Sequence, residues 1–249
     1  MHLVEVHGRR YAQFERLRQE PGLVHAFSTR PMNVAPHSRE EGASQRSRMV
    51  QDWGLDPAAL HYCQQVHRTG IALLEEPTPG GPLPRTDAVA TKVLDLPLMT
   101  FSADCPLVLL YDPVERIVGL VHASWRCTVA RLTARLITLL SSRFGCRPAH
   151  LRAGIGPGAG PCCYEVQDDV YAAAGELDGR ERFFVRREGR LYFDLWEANR
   201  AQLLAAGVRA ENIELAGICT LCRPELFYSL RREGRNCGHF GLLAACRGV

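Results

Sequence analysis

A chain of 249 residues lies near the upper end of what one hydrophobic core organises, and 46% apolar with 23% charged residues is ordinary for a soluble globular protein. Thirty basic against 27 acidic residues leave a net charge of only +3, without the basic excess that marks a nucleic-acid binder. No run reaches the roughly 18 apolar residues of a membrane span, and the opening MHLVEVHGRRYAQFERL lacks the apolar core and cleavage site of a signal peptide. The expectation is therefore one cytoplasmic domain over residues 1–249, with neither nucleic acid nor membrane as a partner.

In chain order, Leu23–Ser28 is the first apolar, β-branched run and predicts a strand. The polar stretch Arg30–Ser47 predicts an exposed loop, and the spacing of Ala43–Trp53, stopped by Gly54, predicts a helix. Further strands are predicted at His61–His67, Ile71–Glu75, Leu98–Ala103, Cys105–Tyr111 and Ile117–Ala123, with a Pro- and Gly-rich loop at Glu75–Arg85. Thr128–Phe144 predicts the strongest helix, with Val129, Leu132, Leu136, Leu139 and Leu140 on one face and Gly145 as its stop. Then come a strand at Leu151–Gly156, a hairpin of Arg182–Val185 with Leu191–Phe193, a helix at Leu195–Ala206 ended by Gly207, and a strand at Ile213–Cys219. Strands outnumber helices and no internal repeat is present. The fold class is α+β, a single domain with mixed, largely hairpin-connected β-sheets flanked by helices.

Ten cysteines are spread along the chain with no repeating spacing. In a reducing compartment that pattern reads as small buried hydrophobes with one or two reactive exceptions, not as a disulfide scaffold. Cys219-Thr-Leu-Cys222 has the spacing of a redox or metal pair, but a single CxxC without a second ligand pair is a weak signal, and buried structural cysteines are the favoured reading. The Gly154–Cys163 loop has the glycines of an anion nest, and also simply those of tight turns.

Two apolar runs, Cys105–Tyr111 and Arg116–His122, enclose Asp112-Pro113, a hairpin signal. A turn centred between Pro113 and Val114 sets Cys105 directly opposite His122, with Cβ atoms roughly 4.5–5.5 Å apart on one face. That separation suits two ligands of one zinc ion. A third ligand must come from elsewhere, and His67, at the end of Tyr62–His67 beside a turn, is a candidate. Three protein ligands and a vacancy describe catalytic zinc, whereas structural zinc usually takes four.

Gln64-Gln65-Val66-His67, Ser102-Ala103-Asp104-Cys105-Pro106 and His122-Ala-Ser-Trp-Arg-Cys127 resemble the QQVH, ADC and HAGWRG motifs of the family long labelled multicopper polyphenol oxidoreductase, or laccase-like. Phe27–Arg30, Gly154–Val166, Cys219-Thr220 and Phe227–Gly234 extend the likeness from about Phe27 to the C-terminus. The resemblance implies a single α+β domain, with zinc held by His67, Cys105 and His122. It also implies phosphorolysis of adenosine, inosine, guanosine and methylthioadenosine, with adenosine deamination beside it; some bacterial members are associated instead with editing peptidoglycan precursors. Ser124 and Cys127 stand where the family has glycine, and His239 stands where it has arginine after Gly238. The first two substitutions are expected to strain the backbone or narrow the pocket if those positions need glycine.

For this chemistry Arg30 and Arg126 are candidates to hold phosphate, since a guanidinium grips two oxygens, although either could be a solvated or structural arginine. Cys105 and His122 double as catalytic residues through the metal. Asp104 is a candidate acid/base or an orienter of a histidine, against a plain strand-end carboxylate. Gln65 could bond a base or ribose, or be an ordinary strand-face amide. A hydrolase with Cys105 as nucleophile on a peptidoglycan precursor is the alternative enzyme. A third reading keeps zinc as a purely structural ion in a binding protein. Copper oxidation is the weakest reading, because blue-copper sites usually add an axial methionine.

Overall fold

The computed structural model describes residues 1–38 and 40–248. The chain opens on a hairpin, β1 (His2–Val6) and β2 (Arg9–Gln13), whose turn residues His7 and Gly8 both take positive φ. After β3 (Leu23–Ser28), helix α1 (Glu40–Asp52) starts on two glutamates, where the helix dipole favours anions. Strands β4 (His61–Cys63), β5 (Ile71–Leu74), β6 (Gly81–Leu83), β7 (Ala88–Thr91) and β8 (Leu98–Ser102) lead into the hairpin of β9 (Leu107–Asp112) and β10 (Ile117–His122). Next come α2 (Trp125–Val129), α3 (Leu132–Phe144), β11 (Arg152–Ile155), β12 (Glu165–Val166) and α4 (Asp168–Ala173). The chain ends with the hairpin β13 (Phe184–Arg187) and β14 (Arg190–Phe193), then α5 (Leu195–Ala205), β15 (Ile213–Leu215), α6 (Leu230–Glu233) and β16 (Phe240–Cys246).

Two mixed sheets result, in the orders β1-β2-β3-β16-β8-β4-β6 and β15-β11-β9-β10-β7-β5, with a small antiparallel sheet, β12-β14-β13. The hairpin strands pair antiparallel, while β4 pairs parallel with β6 and β8, β5 with β7, and β11 with β15. The two large sheets face each other. Phe27, Leu98, Leu242 and Phe240 of one interdigitate with Leu107, Leu109, Val118 and Leu120 of the other. The alternate residues face outward: Ala26, Met99 and Leu243 pack under Met49 and Val50 of α1. Val108, Leu110 and Val121 pack under Leu136 and Leu140 of α3 and Leu203 of α5. Because β9 and β10 are covered on both faces, all their residues are buried, so they read as unbroken apolar runs instead of alternating ones. Among the described residues no helix is long and apolar enough to cross a membrane.

The α+β class with mixed sheets is what the sequence predicts, but several local expectations need correction. The β9–β10 turn is centred one position later than expected. The Asp112 carboxylate accepts the N–H groups of Val114 and Glu115, at 2.9 and 3.2 Å, and Arg116 takes φ 55. His122 therefore pairs with Leu107, and Cys105 precedes the strand instead of lying opposite His122. The shift is two residues along the partner, so every side chain keeps its expected face. The predicted strand His61–His67 ends at Cys63, which leaves His67 in a loop at φ 55. Thr128–Phe144 is two helices, broken where Arg131 takes a left-handed φ of 57. Within the expected Arg30–Ser47 loop, α1 already begins at Glu40 and Met32, Val34 and Ala35 are buried; Arg39 lies outside the described residues.

Candidate metal centre

His122 closes β10 on the face between the sheets and is only 3% exposed. Its Nδ1 lies 2.9 Å from Oδ1 of Asp87, a fully buried residue just ahead of β7. A carboxylate only accepts, so Nδ1 carries the proton and Nε2 is left as the ligand atom. The same carboxylate accepts the backbone N–H groups of Val66, His67 and Arg68 at 3.1, 3.0 and 3.0 Å. One buried aspartate thus orients one histidine and folds the loop that carries the other. Cys105 follows β8 in a bend where Asp104 takes φ 117, and its carbonyl accepts the Ser102 hydroxyl at 2.6 Å.

These connections bring together what the sequence separates by 55 residues. A ring nitrogen of His67, Sγ of Cys105 and a ring nitrogen of His122 all lie within 4.8 Å of one another, and the two imidazoles meet edge to face at 4.8 Å. Zinc bonds of about 2.0–2.3 Å require each side chain to move inward by less than about an ångström. The donor set fits. Although His67 is exposed, desolvation by the surrounding chain, with His122 adding to it, lowers its pKa and favours the neutral imidazole that a metal binds. Burial pushes the Cys105 thiol far up, and the nearby Asp104 carboxylate adds to this, so its thiolate needs a cation beside it. Burial also works against the ionisation of Asp87, yet the hydrogen bonds from His122, Arg68 and Val66 outweigh it and hold the carboxyl below its ordinary range.

The three side chains line a cleft of about 230 Å³ that also holds Phe101, His37 and His239. A cleft of about 650 Å³ between α3 and α5 is larger but holds none of these ligating side chains, so chemistry and not size marks the site. His239 is mostly buried, its Nδ1 has no partner among the described residues, and its ring meets that of His37 at 5.0 Å.

The other predicted site residues fare differently. Gln65 lines the cleft, but its amide is committed to the Phe101 backbone, donating to the carbonyl at 2.8 Å and accepting the N–H at 2.9 Å. Asp104 faces away from the histidines and accepts the Thr220 hydroxyl at 2.7 Å and the Arg231 N–H at 2.8 Å. Burial pushes its carboxyl up, against those bonds. Arg30 pairs with Glu233 and lies 4.1 Å over the Tyr228 ring. Arg126 stacks 4.2 Å over Trp125, has no ion-pair partner among the described residues, and is close enough for its charge to act on His67. Neither glycine replacement strains the chain: Ser124, at φ −61, caps α2 by accepting the Cys127 N–H at 3.3 Å, and Cys127 lies within that helix.

Sequence reading missed Asp87 and the cleft-facing His37, and noted His239 only as a departure. A lone aspartate before an apolar run carries little signal of its own; only the chain's return brings it to residues 66–68 and to His122.

Residues 22–247 match the family described as multi-copper polyphenol oxidoreductase laccase. A protein of Xylella fastidiosa (strain 9a5c) named purine nucleoside phosphorylase is 37% identical over 211 residues, 80% of this chain and 76% of its own. Another, from an unknown prokaryotic organism and named adenosine deaminase RL5, is 32% identical over 203 residues, 78% and 77% of the two chains. The crystal structure of the hypothetical protein YfiH of Bacillus licheniformis superposes with a TM-score of 0.85 at 28% identity, covering 90% of this chain and 93% of that one. The match over nearly the whole length and the identity to these relatives place the chain in the multi-copper polyphenol oxidoreductase laccase family.

Proposed function

We propose that this chain is a cytoplasmic, single-domain, zinc-dependent purine nucleoside phosphorylase acting on adenosine, inosine, guanosine and methylthioadenosine, with adenosine deamination as a second reaction at the same site. The observation that carries it is the His67–Cys105–His122 triad, with His122 oriented by Asp87 and one side open to a cleft. Two imidazoles, a thiolate and an open position suit zinc. A blue-copper centre would add a weak axial methionine, and no methionine lines the cleft among the described residues. The names borne by the relatives, purine nucleoside phosphorylase and adenosine deaminase, support the substrate class.

Zinc bound there supplies Lewis-acid chemistry, stabilising negative charge on an adjacent oxygen and activating water as a nucleophile. The chain's own residues do the rest. Phosphorolysis breaks the bond from C1′ to the purine nitrogen while a phosphate oxygen attacks C1′, so an anion must be held beside the sugar. Arg126, unpaired and near His67, is better suited to that than Arg30, which Glu233 already neutralises. His239 offers its unpartnered Nδ1 to the base or ribose, and burial, with His37 and His122 nearby, pushes its pKa down to about 4, so it meets substrate as a neutral ring. At about 230 Å³ the cleft is below the roughly 300–1,000 Å³ of most ligand sites, so a bound nucleoside projects partly outward. Asp104 and Gln65 act as positioning residues, through Thr220 and Arg231 and through Phe101.

The rival hydrolase, with Cys105 attacking an amide of a peptidoglycan precursor, needs a free thiolate, which burial disfavours at Cys105. Zinc-loaded protein incubated with adenosine, inosine and methylthioadenosine should release free base only when phosphate is added, and convert adenosine to inosine without it. His67→Ala and Cys105→Ala should reduce both reactions to background. Zinc-loaded protein that turns over no nucleoside, with a Cys105 thiol that is readily alkylated, would put the hydrolase first.

A further inference from the structure

The CxxC of Cys219 and Cys222 lacks a second ligand pair in sequence, and the fold supplies one. The loop between β11 and β12 carries Cys162 and Cys163 to it, and the four sulfur atoms all lie within 4.8 Å of one another. Sγ of Cys222 is 3.7 Å from that of Cys162 and 3.5 Å from that of Cys163. These separations are far from the roughly 2.05 Å of a disulfide. They match the edge of about 3.8 Å that four zinc–sulfur bonds of about 2.3 Å give a tetrahedron. We propose that Cys162, Cys163, Cys219 and Cys222 form a second metal site, a closed tetrathiolate that binds zinc independently of the His67–Cys105–His122 centre.

Three features of the surroundings fit a coordinated cluster better than four packed thiols. First, the backbone N–H of Gly160 is aimed at Cys219 and donates to its Sγ at 3.4 Å. Such an amide stabilises a thiolate at that position. Second, the two segments are held in register before any ion arrives. Gly158 bridges Cys219 in parallel fashion, donating to the Ile218 carbonyl and accepting from the Thr220 N–H, both at 3.1 Å. Third, Cys162 and Cys222 are exposed while Cys219 is buried, which gives an ion a path in from solvent. Each thiol that coordinates releases its proton to water.

Four thiolates leave no position open, so the role is structural. The ion would staple the β11–β12 loop to the 216–223 segment. Both touch Asp104, through the Ala159 N–H on its carbonyl and the Thr220 hydroxyl on its carboxylate, and Asp104 precedes Cys105. The staple thus braces the turn that presents Cys105.

The test is metal counting joined to cobalt spectroscopy on the full chain, stripped and reloaded under reducing conditions. Wild type should take up one metal equivalent more than Cys222→Ser. The cobalt-loaded His67→Ala variant should keep the intense thiolate-to-metal absorption of a four-sulfur tetrahedral site. Cys222→His, which keeps a ligand, should recover the equivalent that Cys222→Ser loses. Equal metal content in wild type and Cys222→Ser would overturn the proposal. So would His67→Ala protein without a four-sulfur spectrum, or a Cys222 disulfide to Cys162 or Cys163 in place of metal. Because His67→Ala is read by spectrum and not by turnover, failure here is distinct from failure of the catalytic reading.

Discussion

Asp87 shows how much one buried carboxylate can organise. It accepts hydrogen bonds from His122 Nδ1 and from three backbone N–H groups of the loop that carries His67, so it sets two candidate metal ligands at once. Asp87→Asn keeps the size of the side chain but turns an NH₂ group towards N–H donors, leaving at least one of them unpaired. Affinity for zinc should fall by about 10–100-fold, the usual effect of losing a partner that orients a ligand. Competition with a chromogenic chelator measures this, and unchanged affinity would mean that His122 holds its orientation without Asp87. Ser124 makes a second point at this scale. Judged as a missing glycine it reads as a defect, but its φ of −61 suits any residue and its hydroxyl supplies a helix cap that glycine lacks.

Local rules and long-range geometry divide the work between the elements. The amphipathic spacing of α3 is visible in sequence, and its buried face carries Leu132, Leu136 and Leu140 as that spacing implies. The break at Arg131 was not legible, because no proline or glycine marks it and an arginine there takes the left-handed φ of 57. The stop at Gly145 was legible: it takes φ 74 with open space around it, so its role is purely conformational. Gly145→Ala should cost about 1 kcal/mol and lower the melting temperature by roughly 2–4 °C. A melting curve identical to wild type would show that the last turn of α3 relaxes freely. The β9–β10 hairpin was found by its apolar runs but misplaced by one position, because the Asp112 side chain competes for the turn amides and lengthens the loop.

Across the whole molecule, two facing sheets with helices outside leave the central strands buried on both faces, and the candidate metal centre sits where the ends of β10 and β8 meet the loop after β4. The layers are also tied by polar contacts. Asp52, at the end of α1, accepts from Arg9 Nε at 2.6 Å and Tyr11 at 2.5 Å, with His7 at 3.1 Å, joining the first hairpin to the helix layer. Burial alone would raise its pKa, but these partners bring it from 3.8 down to about 2. A depressed folded-state value means stability that is present above pH 3.8 and lost as pH falls towards 2. Asp52→Asn should therefore cost about 2 kcal/mol at neutral pH, a penalty that shrinks below pH 4 in pH-resolved denaturant titrations; a penalty independent of pH would assign it to packing. The sequence by itself determined the class of fold, most of the elements and, through its motifs, the three residues that meet at the candidate metal centre. Those features are written in spacings of two to seven residues, which a local pattern records. Tertiary structure alone decided the hairpin register, the role of Asp87, the commitment of Arg30 and Gln65 to other partners, and the meeting of Cys162 and Cys163 with Cys219 and Cys222. Each joins segments that only the packing of layers brings together, and no local spacing encodes that distance.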